Sequence, residues 1–221
     1  TLLGVATMFG ASWLLTRTAL RGEATSFSLE LPPYRPPRLW QTLHTSVVDR
    51  TLIVLWRAIV FAAPAGAVLW LLGNVTVGQA PLATHLVRGL EPVGLLLGLN
   101  GVILLAYVVA IPANELVIPT VLMLTVLAGA APGVGAGPGV LFDLAPDAIG
   151  TLLRANGWTT LTAVNLMLFS LLHNPCSTTI HTIWKETGSA RWTAVATLLP
   201  LGLGLVTCFL VTQVTRLLLG A

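Results

Sequence analysis

"LLHNPCSTTIHTIWKETG", residues 171–188, decides how this chain folds. It interrupts an apolar run that starts near residue 157. His173, Asn174, Pro175, Cys176, Ser177, Thr178 and Thr179 sit side by side where a membrane helix would be running. Pro175 has no N–H, so the carbonyl of Leu171 loses its helical partner, and the ring crowds that carbonyl. The preceding residue, Asn174, is pushed out of helical geometry. Residues 176–179 are then expected to open a fresh half-helix, with unpaired backbone amides at its start, running to about residue 185.

The surrounding sequence says what medium this break lies in. Of 221 residues, 55% are hydrophobic and only 9% charged, with a mean hydropathy of +0.88. A soluble chain carries roughly 25% charged residues. Apolar runs of about 20 residues recur, enough to cross a hydrocarbon core of roughly 30 Å. Backbone amides there must be satisfied internally, by helices or a closed barrel. The runs are continuous rather than alternating, which selects helices. The expected fold class is an all-α, polytopic transmembrane helix bundle with broken, proline-interrupted helices.

A net charge of +3 leaves no nucleic-acid footprint. Cys176 and Cys208 lie inside apolar segments, against a disulfide framework. Asn74-Val75-Thr76 fits a glycosylation sequon, a pattern short enough to arise by chance. The chain begins at Thr1 inside an apolar run, and is expected to be a piece of a larger protein or half of a split one.

Five stretches follow along the chain. Residues 1–20 form a first span closed by Arg17 and Arg21. Residues 21–50 are a polar connection in which Pro32, Pro33, Pro36 and Pro37 forbid a regular helix. An interfacial helix anchored by Trp40 is expected from Leu39. Residues 51–128 hold three spans (51–72, bent by "APAGA" at 63–67, then 91–111 and 113–128), with a short loop at 74–90. Residues 129–157 are a flexible loop rich in Gly, Ala and Pro. Residues 158–221 contain the broken helix and a last span of about 190–219, where "GLG" at 202–204 suits close helix packing. Arg21, Arg35, Arg38 and Arg50, with Lys185 and Arg191, put 21–50 and 185–191 inside, and 129–157 outside.

A second break is expected at "AIPANELVIP", 110–119. Pro112 frees the carbonyl of Val108, and Pro119 that of Glu115. Non-helical backbone at membrane depth survives only where protein buries it or where it lines a wet cavity, and discontinuous helices build many transporter sites. Glu115 is a carboxylate that faces a cavity or partner if it is deep, at an insertion cost of about 2.5–3.5 kcal/mol; otherwise it sits at the interface. Cys176 offers a soft ligand at a helix start, or is an inert small hydrophobe. His173 can bind a metal or pack by a hydrogen bond. His181 lies eight residues on. Ser177, Thr178 and Thr179 can simply cap a helix. Asn100 and Asn165, each mid-span, read as interhelical hydrogen-bond glue. Together thiolate, carboxylate and imidazole suit Fe, Zn or Mn better than Na⁺ or Mg²⁺. HExxH, GxSxG, CxxC and GxxxxGK[ST] are all missing, so protease, hydrolase, zinc-ribbon and P-loop readings lack their motif.

"SFSLELPPYRPPRLW" (26–40), "IPANELVIP" (111–119) and "HNPCSTTIHTIWKETGSARWTA" (173–194) resemble the membrane domain of the ferrous iron transport protein B family (FeoB). The resemblance runs from about residue 20 to 205. It implies a multi-pass transporter of Fe²⁺ in a prokaryotic inner membrane, not itself an enzyme. GTP and Mg²⁺ would enter only through a GTP-binding domain supplied upstream or by another chain. Small cytosolic Feo accessory proteins and a homo-oligomer are implied as further partners beside the bilayer. Residues 1–20 would end the first gate-repeat region and 158–221 would be the second gate repeat. Cys176 matches the second gate's proposed iron ligand, and Glu115 the acidic position of the middle motif. The G domain and most of the first gate, with its own cysteine, have no counterpart in this sequence.

The expected ligands are thus Cys176, Glu115 and His173. Asn114, Pro112, Asn174, Pro175, Ser177 and Thr178 are the expected pore lining. Rival readings are another gate-type permease, nucleoside-like, and an intramembrane thiol enzyme pairing Cys176 with His173 or His181.

Overall fold

The computed structural model describes residues 2–18, 39–112, 114–128, 146–173 and 175–219. The prolines at 32–37 and the glycine-rich stretch 129–140 lie outside the described residues. Two units are distinguished, Thr1–Ile53 and Val54–Ala221.

The first unit carries α1, Leu2–Arg17, whose last residue sets its guanidinium over the Trp13 ring at 4.8 Å. It also carries the short α2, Leu39–Thr45, at the position expected for an interfacial helix, with Trp40 exposed. A π-helical turn, Ser46–Leu52, follows.

Helix α3, Ile53–Asn74, which falls in the second unit from Val54 on, runs through Pro64 as one helix. Next come a two-stranded hairpin, Thr76–Val77 with Ala80–Pro81, and α4, Leu82–Leu96. The loop expected at 74–90 is therefore mostly helix. Thr84, His85, Arg88 and Glu91 disguise it, but Ala83, Val87 and Leu90 recur at helical spacing on the core face.

The expected span 91–111 is also redrawn. Helix α4 and α5, Gly101–Val109, meet at 109°. Gly98, at φ +63°, ends α4 by a Schellman arrangement: Leu99 N–H donates to the Gly94 carbonyl at 2.9 Å, and Gly98 N–H to that of Leu95 at 3.2 Å. Asn100 is a helix cap rather than interhelical glue, its Oδ1 accepting from Ile103 N–H at 2.9 Å. Glu91 Oε2 accepts from Gly101 N–H at 2.7 Å, so a carboxylate meets the positive end of α5.

A 3₁₀ turn at Asn114–Leu116 leads into α6, Val117–Ala128. The tail of the 129–157 connection is helical, as α7, Pro146–Ala155. Helix α8, Thr160–Leu172, α9, Ser177–Thr187, and α10, Ala190–Leu219, complete the unit. One buried cluster joins Val87, Ile103, Ala106, Leu124, Phe169 and Cys208. Asn165 does act as glue: fully buried, its Nδ2 donates to the Leu97 carbonyl at 2.9 Å and to Thr212 Oγ1 at 2.7 Å. Of the two glycines in "GLG", Gly204 lies against Phe169, whereas a Cβ on Gly202 would meet nothing within 4 Å.

Helices dominate, and large apolar side chains such as Trp56, 67% exposed, and Leu198, 62% exposed, point outward. That is the arrangement of a chain solvated by lipid rather than water. Among the described residues, Leu39–Asn74 and Ala190–Leu218 are long and apolar enough to cross a membrane. The bent α4–α5 pair makes a third if taken as one span.

Candidate functional site

The site grows from the ends of α5 and α8. Helix α8 opens on a reciprocal cap, Thr159 with Thr162, and stops at Leu172. His173 is extended, at φ −71°, ψ 174°. Cys176 is extended too, at φ −65°, ψ 161°, and α9 begins at Ser177. Helix α5 ends at Val109, and α6 starts at Val117 with Pro119 in its first turn, where a missing N–H costs nothing.

The two irregular segments clasp each other. Ser177 N–H donates to the Ile111 carbonyl at 3.1 Å, and the Ser177 hydroxyl donates to the Pro112 carbonyl at 3.1 Å. The first amide of α9 is thus paired with a carbonyl from the other break.

Beside this clasp lies a cavity of about 290 Å³ lined by Tyr107, Asn114, Glu115, Ser170 and His173, with Val117 and Ile118. His173 Nδ1 lies 2.8 Å from the Ser170 carbonyl. A carbonyl only accepts, so Nδ1 carries a proton, and in the neutral ring Nε2 is then the acceptor. Nε2 is buried with no partner. A backbone carbonyl on one ring nitrogen, fixing the other as an acceptor, is how proteins orient a metal-binding imidazole. Tyr107 steadies the same ring at 5.2 Å, and its hydroxyl is bonded to Ser170 Oγ.

The expected site residues separate into two groups. His173, Asn114 and Glu115 share the cavity, and Glu115 is exposed. Cys176 is half-buried and does not line it; its Sγ lies 3.0 Å from Thr178 Oγ1 and 3.2 Å from Thr179 Oγ1. Among the described residues no three His, Cys, Asp or Glu groups converge closely enough to hold a metal ion. Asn174 lies outside the described residues. His181 is exposed on α9, its ring 6.0 Å from that of Trp184. Chemically, the cavity offers one imidazole lone pair, one carboxylate and one amide. Such a donor set suits a divalent cation held loosely, with water completing the shell.

Tyr107 and Ser170 are the residues that sequence reasoning missed. They lie 63 positions apart, and only their polarity inside apolar runs marked them. Tyr107→Phe is expected to keep the ring against His173 while lowering stability by about 1 kcal/mol, measurable by thermal unfolding in detergent.

Two family models match. The ferrous iron transport protein B C terminus covers residues 1–49. Gate, described as nucleoside recognition, covers residues 55–190. Among curated proteins, one named Fe(2+) transporter FeoB from Staphylococcus aureus strain COL is 29% identical over 97% of this chain and 31% of its own length. Proteins of the same name from Leptospira biflexa and Campylobacter jejuni are 26% and 23% identical, over 98% and 99% of the chain and 32% and 36% of their lengths. The chain thus spans about a third of the length of the relatives it matches. No solved structure matches it.

Proposed function

The chain belongs to the Gate family, and from that membership we propose that it is the membrane part of a transporter moving Fe²⁺ into a prokaryotic cell. The observation that carries the proposal is the clasp of the two breaks at Ser177, beside a cavity where His173 Nε2 lacks a partner. The relatives named as Fe(2+) transporters support the choice of cargo. In this reading Pro112 and Pro175 interrupt membrane helices to make a polar route, and 158–221 is a gate repeat. Residues 21–50 and 185–191 face the cytosol, and 129–157 faces outward across a multi-pass inner-membrane fold. A cytosolic GTP-binding domain acts on the basic inner connections.

The cation passes in steps. The positive end of α9 repels it, so it rests first between His173 Nε2 and Glu115, with Asn114 and water filling the shell. It then reaches the Cys176 sulfur, which Thr178 and Thr179 hold in place. An incomplete ligand set keeps binding weak enough for release. In proteoliposomes of the whole protein that carries this chain, Cys176→Ser and Glu115→Gln are each expected to cut Fe²⁺ uptake by about tenfold. Unchanged uptake in both variants removes these residues from the route. The Gate description favours a second reading, a nucleoside-type permease; uptake of labelled uridine without Fe²⁺ transport by the same vesicles would select it.

A further inference from the structure

Away from the breaks, the α4–α5 elbow encloses a cavity of about 430 Å³, whose polar lining includes Glu91, Asn100, Asn156, Trp158 and Arg216. Both signs of charge are present, and each charged group is tied to backbone. Glu91 spends one oxygen on Gly101 N–H. Arg216 spends Nη2 on the Leu95 carbonyl at 2.7 Å, and a guanidinium fork has five N–H groups in all. Trp158 Nε1 is buried with no acceptor, an arrangement that costs free energy until something accepts from it.

A second, quite different cavity adjoins this polar one. A groove of about 610 Å³ between α8 and α10 is walled by Leu161, Val164 and Val211, with Thr215 and Arg216 at its end. Thr159, Leu161 and Arg216 line both spaces. Arg216 lies in the last turn of α10 and Thr159 caps the start of α8. The junction therefore sits at one end of the helix pair, where an arginine of a membrane span reaches headgroups.

We propose that these joined cavities hold one phospholipid with an ammonium-bearing head, of the phosphatidylethanolamine class. Its phosphate accepts from the free guanidinium face of Arg216 and from Trp158 Nε1, its ammonium donates to the unclaimed oxygen of Glu91, and an acyl chain lies along Leu161, Val164 and Val211. Charge complementarity selects this occupant. A bare divalent cation would meet Arg216, and a purely anionic head would leave Glu91 opposed by like charge. A phosphate matches the guanidinium fork, and a primary ammonium both donates hydrogen bonds to the carboxylate and neutralises it, which neither a choline nor a glycerol head does. The inference rests on the membrane setting of the proposed function, but not on iron as the cargo.

The test is the unfolding midpoint of the delipidated, detergent-solubilised whole protein with phosphatidylethanolamine, phosphatidylcholine or phosphatidylglycerol in mixed micelles. Phosphatidylethanolamine is expected to raise the midpoint by roughly 5 °C, at least twice the shift with either other lipid. Glu91→Gln, whose amide oxygen still accepts from Gly101 N–H, should erase that preference. Arg216→Gln should erase the response to all three lipids. Equal shifts with the three lipids, or a preference that survives Glu91→Gln, would overturn the proposal. So would an equal shift with water-soluble glycerophosphoethanolamine, which has no chain for the groove. Iron uptake is not read, so a negative result leaves the transport proposal standing.

Discussion

Replacing His173 by alanine is expected to weaken binding of Co²⁺, a spectroscopic substitute for Fe²⁺, by about tenfold or more. The expectation comes from the state of the ring. Its Nδ1 proton is committed to the Ser170 carbonyl at 2.8 Å, and Tyr107 and Phe169 flank it at 5.2 and 6.2 Å between ring centres. Nε2 is thus presented as a lone pair with nothing to accept, beside Glu115 in the same cavity. Visible absorption of Co²⁺ reads the outcome: loss of nitrogen ligation in His173→Ala, with the Cys176 thiolate band retained, supports two successive stations. An unchanged Co²⁺ spectrum and affinity would reduce His173 to a packing residue. Loss of both bands at once would instead mean a single compact site, contrary to the separation of Cys176 from the cavity.

Gly101→Ala is expected to be the most damaging small substitution, costing about 3 kcal/mol or more, or preventing assembly outright. A Cβ there would overlap the Val87 carbonyl oxygen and lie 2.8 Å from Glu91 Oε2 and 3.0 Å from Glu91 N. Two of these three atoms are α4 backbone, so no rotamer change relieves the clash. Helix α5 would have to move off α4, opening the elbow that positions Tyr107. Gly202→Ala is the internal control. Its Cβ meets nothing within 4 Å, and the exchange should leave stability equal or slightly higher, since alanine is the better helix former. Thermal unfolding of both variants in one detergent checks the contrast. Similar midpoints for the two would show that the elbow is not as tightly packed as its geometry requires.

The gap between sequence and structure is instructive at particular residues. Helix α8 ends at Leu172 and α9 begins at Ser177, with Pro175 in the stretch between them where a break was expected. The α4–α5 elbow could have been: "GLN" at 98–100 is a C-cap glycine followed two residues on by an N-cap asparagine. A continuous apolar run hid it, because hydropathy reports burial and not direction. Helix α4 was hidden for the opposite reason, its polar residues reading as a loop although one face is apolar.

What the sequence determined by itself follows from local chemistry and from the medium. Few charges and long apolar runs demand lipid, and lipid demands internally bonded helices; a proline removes a backbone donor where it stands, yet α3 runs on through Pro64. The tertiary structure alone decided that Ser177 bonds to Pro112, 65 positions away, that Asn165 reaches Leu97 across 68, and that His173 shares a cavity with Glu115 while Cys176 does not. Those pairings depend on which helix faces pack together, and packing is a collective property of distant residues that no local pattern encodes.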